Sequence, residues 1–419
     1  MGAVCCKLGG VEGNNSSKSY QKSRKSSDAS KPRKSSFQEF ESVDRKAWIS
    51  EQCKHAGDQD LFTKEINECD FQKAHCIGRG AYSSVYLVYK KDTGRPYAMK
   101  VIKKSINKIE KDRVKLEKKI MTDCYSPFLV KLYCTFQTQD KLFFILEYVN
   151  GGELNTKLIK AGVIKEDLAR FYAAEILLAL KIMHEKNYLH RDVNPRNILI
   201  DNKGHIKIID FGLSKNIKED SDRIETCGTP AYCAPEIIKG GKHEKTMDFW
   251  SFGVLLYEML HGKYPFLKGT VKSKDEIFKQ VLNNKLKIDR NLSPFTEDFL
   301  KKLLNKDPAK RLGANGIEEI LNHPFLETIN FKDLSIKKMK SPYVPKVKSE
   351  DCTKYISGTW LEEPVDTTDN ELTFTLDEKR EAYVRDFSFY AEGSFAGLWT
   401  GDSSRATTPT KSGSDISEY

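Results

Sequence analysis

The stretch His190-Arg191-Asp192-Val193-Asn194-Pro195-Arg196-Asn197, followed thirteen residues later by Asp210-Phe211-Gly212, constrains this chain more than any other feature. Two polar loops flank the apolar strand candidates Ile198-Leu199-Ile200 and Ile206 to Ile209. Upstream, Leu168, Tyr172, Ile176, Leu180 and Met183 recur every three or four residues, the spacing of an amphipathic helix burying one stripe. Downstream, helical patterns dominate at Thr246 to Leu260, Asp275 to Leu282 and Glu297 to Leu304. Before Glu153 the period is different. Phe71 to Ile77, Val85 to Tyr89, Tyr97 to Ile102 and Phe143 to Leu146 read as strands. Lys108 to Met121 is the one helix there, charged with apolar returns at Val114, Leu116, Ile120 and Met121. The expected fold class is α+β: a small sheet-rich lobe (71–150) on a larger helical lobe (151–325), with order beginning near Phe71.

The loops carry chemistry as well as turns. An acid beside an attacking hydroxyl, with a second acid and a carboxamide on magnesium, is the set that phosphoryl transfer requires. Asp192 fits the first part, Asp210 and Asn197 the second. Gly78-Arg79-Gly80-Ala81-Tyr82-Ser83-Ser84-Val85 nearly matches the glycine pattern that lets backbone amides approach phosphates. Strand-like sequence continues through Tyr89, so this loop is expected to join two antiparallel strands, with Ser83 where a third glycine would stand. Twenty residues beyond Gly80, Lys100 follows Ala98 on an apolar strand, and Glu117 on the next helix can supply a carboxylate for its ammonium.

Taken together, glycine loop, strand lysine, helix glutamate, His-Arg-Asp loop, Asp-Phe-Gly and Ala234-Pro235-Glu236 resemble the eukaryotic protein kinases over residues 71–325. Asp248 to Gly253 and Arg311 resemble that family's helix-anchoring aspartate and the arginine that pairs with Glu236. The resemblance implies ATP and Mg²⁺ as cofactors, with Lys100 and Glu117 clamping phosphates, Asn197 and Asp210 on the metal, and Asp192 at the substrate hydroxyl. It also implies adenine binding at the backbone of Glu147 and Val149, between Val85 and Ala98 above and Leu199 below, with Glu153 facing the ribose or a basic substrate residue. Gly78, Gly80 and Ser83 would cover the phosphates. Thr229 in Gly228-Thr229-Pro230 resembles the serine/threonine pattern, so proteins with Ser or Thr acceptors are the implied substrates.

Within the family the chain resembles the AGC kinases: Phe128-Leu129-Val130, Arg311-Leu312-Gly313, His323-Pro324-Phe325 and Pro342 to Pro345 are in their style. Residues 326–392 then correspond to an AGC-type tail, in which Val384-Arg385-Asp386-Phe387-Ser388-Phe389 resembles the hydrophobic motif that folds back on the small lobe. Val384 replaces the first aromatic, so weaker docking is expected, and Ser388 is the candidate phosphosite.

Three positions depart from the pattern. Asn194 replaces a lysine two residues after Asp192, and the alternative this raises is a catalytically weak pseudokinase, an ATP-binding scaffold at a membrane. Arg196 could restore the lost cation at the transferred phosphate. The same arginine is expected to repel a basic substrate residue at minus two and to neutralise Glu258, leaving Glu153 to read arginine at minus three. Glu225 stands where a phosphothreonine is usual and is expected to pair with Arg191, ordering the loop without phosphate; Thr226 is the competing phosphosite.

The ends are different material. Residues 1–38 carry eight Lys and Arg against Glu12 and Asp28, with nine serines, a basic arm suited to an anionic membrane surface. Only Tyr20 and Phe37 in that arm could stack on bases, so nucleic acid is not expected. Met1-Gly2-Ala3-Val4-Cys5-Cys6 makes Gly2 a myristoylation candidate and Cys5 and Cys6 palmitoylation candidates, two signals that together anchor stably. Ten scattered cysteines without a CxxC pair fit a reducing compartment, here the cytoplasmic face of a membrane. Residues 1–70 are read as an N-terminal arm, 393–419 as a Ser, Thr and Gly-rich tail, and the chain as a monomer.

Overall fold

The computed structural model describes residues 66–80, 83–218, 225–288, 292–363, 365 and 375–391. Strands β1 (Phe71–Arg79), β2 (Ser83–Lys90), β3 (Pro96–Lys103), β4 (Leu132–Gln137) and β5 (Lys141–Glu147) form an antiparallel sheet crossed by helix α1 (Lys108–Asp123). Asn107 caps α1, its side chain accepting from the Ile109 N–H at 2.9 Å. The sheet buries Tyr86, Val88, Tyr97, Met99, Phe136, Phe143 and Ile145 in one cluster, and Ile66 joins them. Ile66, ahead of the expected boundary near Phe71, thus contributes to the core of the small lobe.

Strand β4 lies outside the expected strands, and its alternation is only legible once it pairs with β5, as Phe136 opposite Phe143. A sixth strand, β10 (Phe389–Tyr390), comes from the far end of the chain and pairs antiparallel with β4, Phe389 opposite Thr135. The sheet order is β1-β2-β3-β5-β4-β10. Here the expectation of weak tail docking meets a different picture. Val384 and Phe387 are each 1% exposed, buried with Ile102, Val114, Leu142 and Phe144. Gln137 brackets Val384 by donating to its carbonyl (2.9 Å) and accepting from its N–H (3.3 Å), so backbone bonds hold what a ring would otherwise anchor. Phe387 meets Phe144 edge to face at 5.3 Å.

Below the sheet, helices α2 (Leu154–Ala161), α3 (Glu166–Glu185), α4 (Lys245–His261), α5 (Lys274–Asn283) and α6 (Pro294–Leu303) build the larger lobe, and short hairpin strands β7 (Ile198–Ile200) and β8 (Ile206–Ile208) lie between β6 (Tyr188–Leu189) and β9 (Lys215–Asn216). Helix α3 exceeds its expected single stripe: Phe171, Ala173, Ala174, Leu177 and Leu178 are buried as well as Tyr172, Ile176 and Leu180. It is enclosed by neighbours on several sides, which is how a helix comes to be apolar nearly all round. Its buried Glu175 is compensated by His205 and the Ile206 N–H. The two lobes are stitched by backbone, with Val130 N–H donating to Ile208 O (3.0 Å) and Ile208 N–H to Phe128 O (2.8 Å).

Arg311 is the most fully compensated buried cation of the large lobe. It meets Glu236 bidentately at 2.6 and 2.8 Å, donates to the Thr246 and Asn305 carbonyls, and lies over the Trp250 ring at 5.1 Å. Arg311→Leu leaves the Glu236 charge uncompensated and is expected to cost about 3–5 kcal/mol in urea unfolding. Adding Glu236→Leu should recover much of that loss; a single variant as stable as the parent contradicts this account.

Candidate active site

Pairing across the sheet sets the upper wall. Lys100 lies on β3 directly opposite Val85 of β2 and Phe144 of β5. Its ammonium reaches Glu117 Oε1 on α1 at 2.6 Å and Asp210 Oδ1 at 3.2 Å. Burial alone would push Lys100 down, but the two carboxylates outweigh it and hold its pKa above the usual lysine range, so the cation is fixed. That cation in turn holds the Asp210 carboxyl below its usual range. Asp210 sits in the left-handed region at φ 61°, as does Arg191 at φ 66°. Holding non-glycine residues there costs backbone strain that the surrounding bonds offset.

The lower wall is the catalytic-loop candidate. Thr229 donates to Asp192 Oδ1 twice, from its N–H at 2.8 Å and its hydroxyl at 2.9 Å. Asn197 donates its amide to Asp192 Oδ2 at 2.8 Å. Both carboxylate oxygens are thus oriented, and the Asn197 amide nitrogen is spent, leaving its oxygen as the end a cation would use. Gly228, at φ 86°, is required beside Thr229: a Cβ there would come 2.6 Å from the Arg191 carbonyl. Asn194 is buried and donates to Thr229 Oγ1 (3.3 Å) and the Asp192 carbonyl (3.1 Å), while its oxygen accepts from the Arg196 N–H (2.9 Å). Asn194 therefore ties the loop together with hydrogen bonds and brings no charge.

Asp248, fully buried on α4, suspends this loop from below. Its carboxylate accepts from the N–H groups of His190 (2.9 Å) and Arg191 (2.8 Å) and from His184 Nε2 (2.8 Å). Burial pushes its carboxyl up, but these hydrogen bonds outweigh that and leave it below the usual range. The Arg191 side chain then reaches Glu225 at 3.1 Å, the expected pairing, and His243 Nδ1 at 3.1 Å. Glu225 has a partner the sequence did not suggest, Arg113 of α1 at 3.2 Å. The glutamate therefore bridges the loop arginine and the helix that carries Glu117. Thr226 beside it is exposed.

Arg196 is exposed and makes no ion pair within 4 Å with a described residue, yet it lies close enough to act on both Glu153 and Glu258. Burial pushes these two carboxyls up, and Arg196 pulls them partly back. Tyr232 donates its hydroxyl to Glu258, a clasp unforeseen in the sequence. Around the cleft, Val85, Ala98 and Leu199 are partly or wholly buried, Leu199 bridges Glu153, and Glu147 and Val149 follow on the linker between lobes. Gly80 N–H donates to Ser83 O at 2.7 Å, closing the base of the glycine loop. Ser388 is exposed on the docked tail. Gly2, Cys5 and Cys6 lie outside the described residues. A larger cavity of about 590 Å³ lies behind the loop, lined by Lys181, His184, Phe249 and Glu318, apart from these groups.

The donor set fits a nucleotide-bound divalent cation: one ionised carboxylate, one amide oxygen and a fixed ammonium converge on one cleft. Among the described residues no cluster of three or more His, Cys, Asp or Glu could hold a metal alone, and a magnesium carried by phosphates needs only one or two protein ligands.

The protein kinase domain signature matches residues 71–326. The serine/threonine-protein kinase AtPK2/AtPK19 of Arabidopsis thaliana is 41% identical over 297 residues, covering 70% of this chain and 62% of that protein. RAC-beta serine/threonine-protein kinase A of Xenopus laevis is 38% identical over 314 residues, 74% of this chain and 64% of that one. The serine/threonine-protein kinase YPK2/YKR2 of Saccharomyces cerevisiae is 39% identical over 312 residues, 74% and 46% respectively. The chain spans less than two thirds of the length of these relatives. It belongs to the protein kinase domain family and, within it, to the AGC group.

A carboxyl whose pKa is depressed on folding stabilises above its unfolded value and loses that contribution as pH falls through the folded one. For Asp248 the unfolded value is near 3.8. Asp248→Asn should be about 2–3 kcal/mol less stable at pH 7. Its urea midpoint should also vary less than the parent's between about pH 5 and pH 2. Parallel curves would remove the assigned role.

Proposed function

We propose that this protein is an active serine/threonine kinase that moves the ATP γ-phosphoryl group, with Mg²⁺, onto Ser or Thr hydroxyls of other proteins. The observation that carries this reading is Thr229, which fixes Asp192 Oδ1 through both its N–H and its hydroxyl while Asn197 fixes Oδ2. Asp192 is thereby aimed to accept or orient the acceptor's proton. Lys100, held by Glu117, steadies the phosphates. Asp210 and the Asn197 oxygen would hold a magnesium ion, which would supply charge withdrawal from the transferring oxygens. Gly78, Gly80 and Ser83 cover the phosphates, and the Glu147 and Val149 backbone takes adenine between Val85, Ala98 and Leu199.

Asn194 gives the scaffold reading its support, and the preserved Lys100, Glu117, Asp192, Asn197 and Asp210 weigh against it. The compensating cation we assign is Arg196, which also fills the acid site that would otherwise read a basic residue at minus two. A preference for arginine at minus three, read by Glu153, follows. The Glu225 bridge to Arg191 and Arg113 supports loop ordering without phosphorylation. We assign Gly2, Cys5 and Cys6 to lipid anchoring at the cytoplasmic face of a membrane, with the basic arm as second signal; intact-mass measurement of protein from cells, showing or lacking acyl mass, decides this.

Magnesium-dependent transfer to a peptide with arginine at minus three should fall about 10²–10⁴-fold in Asp192→Asn. An inert parent would favour the scaffold. Arg196→Ala should lower kcat and newly admit arginine at minus two; retained kcat would remove the compensation. Since Arg196 holds the raised Glu153 carboxyl down, its removal should also move the acid-side rise in peptide KM to higher pH. Glu225→Ala should lose activity that no kinase treatment restores, and unchanged activity would remove the bridge from the account.

A further inference from the structure

A second, smaller cavity of about 190 Å³ opens beside Glu153, floored by helix α2 and walled by Tyr343 and Tyr355 of the C-terminal tail. Its side toward α2 carries Thr156, Lys157 and Lys160. The tail is fitted closely here. Gly152, at φ 88°, leaves no room for a Cβ, which would lie 2.6 Å from the Tyr355 Cβ. Tyr355 hydroxyl accepts from the Lys346 N–H at 2.8 Å.

Of the two lysines, Lys157 is partly enclosed in this wall and Lys160 is exposed at its rim. Lys157 is half-buried, and its ammonium stands 3.1 Å from the Tyr343 ring centroid. No carboxylate of a described residue lies within 4 Å of Lys157 or Lys160, although many other lysines of the domain, such as Lys181, Lys207 and Lys337, have such a partner. A ring face attracts a cation but does not neutralise it. Burial without a counter-ion disfavours the charged form, so an anion in this cavity would be bound by a cation already desolvated and positioned. Glu153, the only acid in the lining, belongs to the neighbouring site that reads a basic residue.

The geometry points to an additional substrate subsite here: a carboxylate side chain of the peptide, N-terminal to the minus-three arginine, enters the cavity and pairs with Lys157 and Lys160. This rests on the kinase reading above and narrows its substrate class. Lys157 follows Glu153 by four residues and Lys160 by seven, about 6 and 10 Å along a helix rising 1.5 Å per residue. An extended peptide advances about 3.3 Å per residue, so the acid falls at about minus five or minus six. With Arg196 and Glu258 assigned to minus two and Glu153 to minus three in the proposed reading, the N-terminal side of the peptide runs on toward this cavity. The recognised sequence is then of mixed sign, acidic at minus five or six and basic at minus three.

The test uses the full chain and two fluorescent peptides with arginine at minus three, one with glutamate and one with alanine at minus five and minus six. Anisotropy should give a Kd about three- to fivefold lower for the glutamate peptide at low salt, with the advantage shrinking as salt rises. Lys157→Gln with Lys160→Gln should bind the two peptides equally, and Lys157→Arg should keep the preference. Equal binding by the parent, or a preference that survives in the double glutamine variant, overturns the subsite. Binding needs no turnover. A glutamate preference without phosphate incorporation would therefore keep the subsite and sink the kinase reading, while incorporation without that preference would do the reverse.

Discussion

Everything in this site hangs on one buried cation. Lys100 could not keep its charge in the cleft without Glu117 at 2.6 Å, and it in turn keeps Asp210 ionised at 3.2 Å. Three separate elements, β3, α1 and the loop after β8, thus meet at a common point through the buried Lys100–Glu117 pair and the more exposed Asp210. Replacing Lys100 leaves both carboxylates unmatched, whereas removing either acid leaves the lysine one partner. The Lys100–Glu117 pair joins α1 to the sheet, beside the packing of Val114 against Ile102, Leu142 and Phe144.

From this point the structure radiates outward in layers of dependence. Helix α1 is also held by Arg113 to Glu225, and Glu225 by Arg191, whose backbone N–H hangs on Asp248. On its other side α1 meets the returning tail, with Lys111 and Lys118 donating to the Glu381 and Asp386 carbonyls. The helix is therefore fixed from the Glu225 segment and from the C-terminal tail at once. A tail that adds the sixth strand to the small sheet is a structural part of the lobe.

Much of this was legible in the sequence, for identifiable reasons. Long periodic segments such as α1, α3 and α4 declare themselves because each buries a face set by its own spacing. The motif residues were legible because their chemistry is local: Asp192, Asn197 and Asp210 lie within nineteen positions on adjacent loops. What escaped were contacts between distant segments. The Arg113–Glu225 bridge spans 112 positions and the Thr135–Phe387 bond 252, and no spacing rule links such pairs. Tyr232 on Glu258 escaped for the same reason. The hold of Gln137 on the Val384 backbone, across 247 positions, escaped in the same way.

The central claim is that Lys100 and Glu117 act as one unit upon Asp210 and the phosphates. A double-mutant cycle of Lys100→Met and Glu117→Gln, read as kcat/KM for phosphoryl transfer, tests it most directly. If the pair is one device, either single variant should lose nearly as much as the double, because the second change removes nothing that still works. Losses that simply add would show two independent contributions and contradict the account.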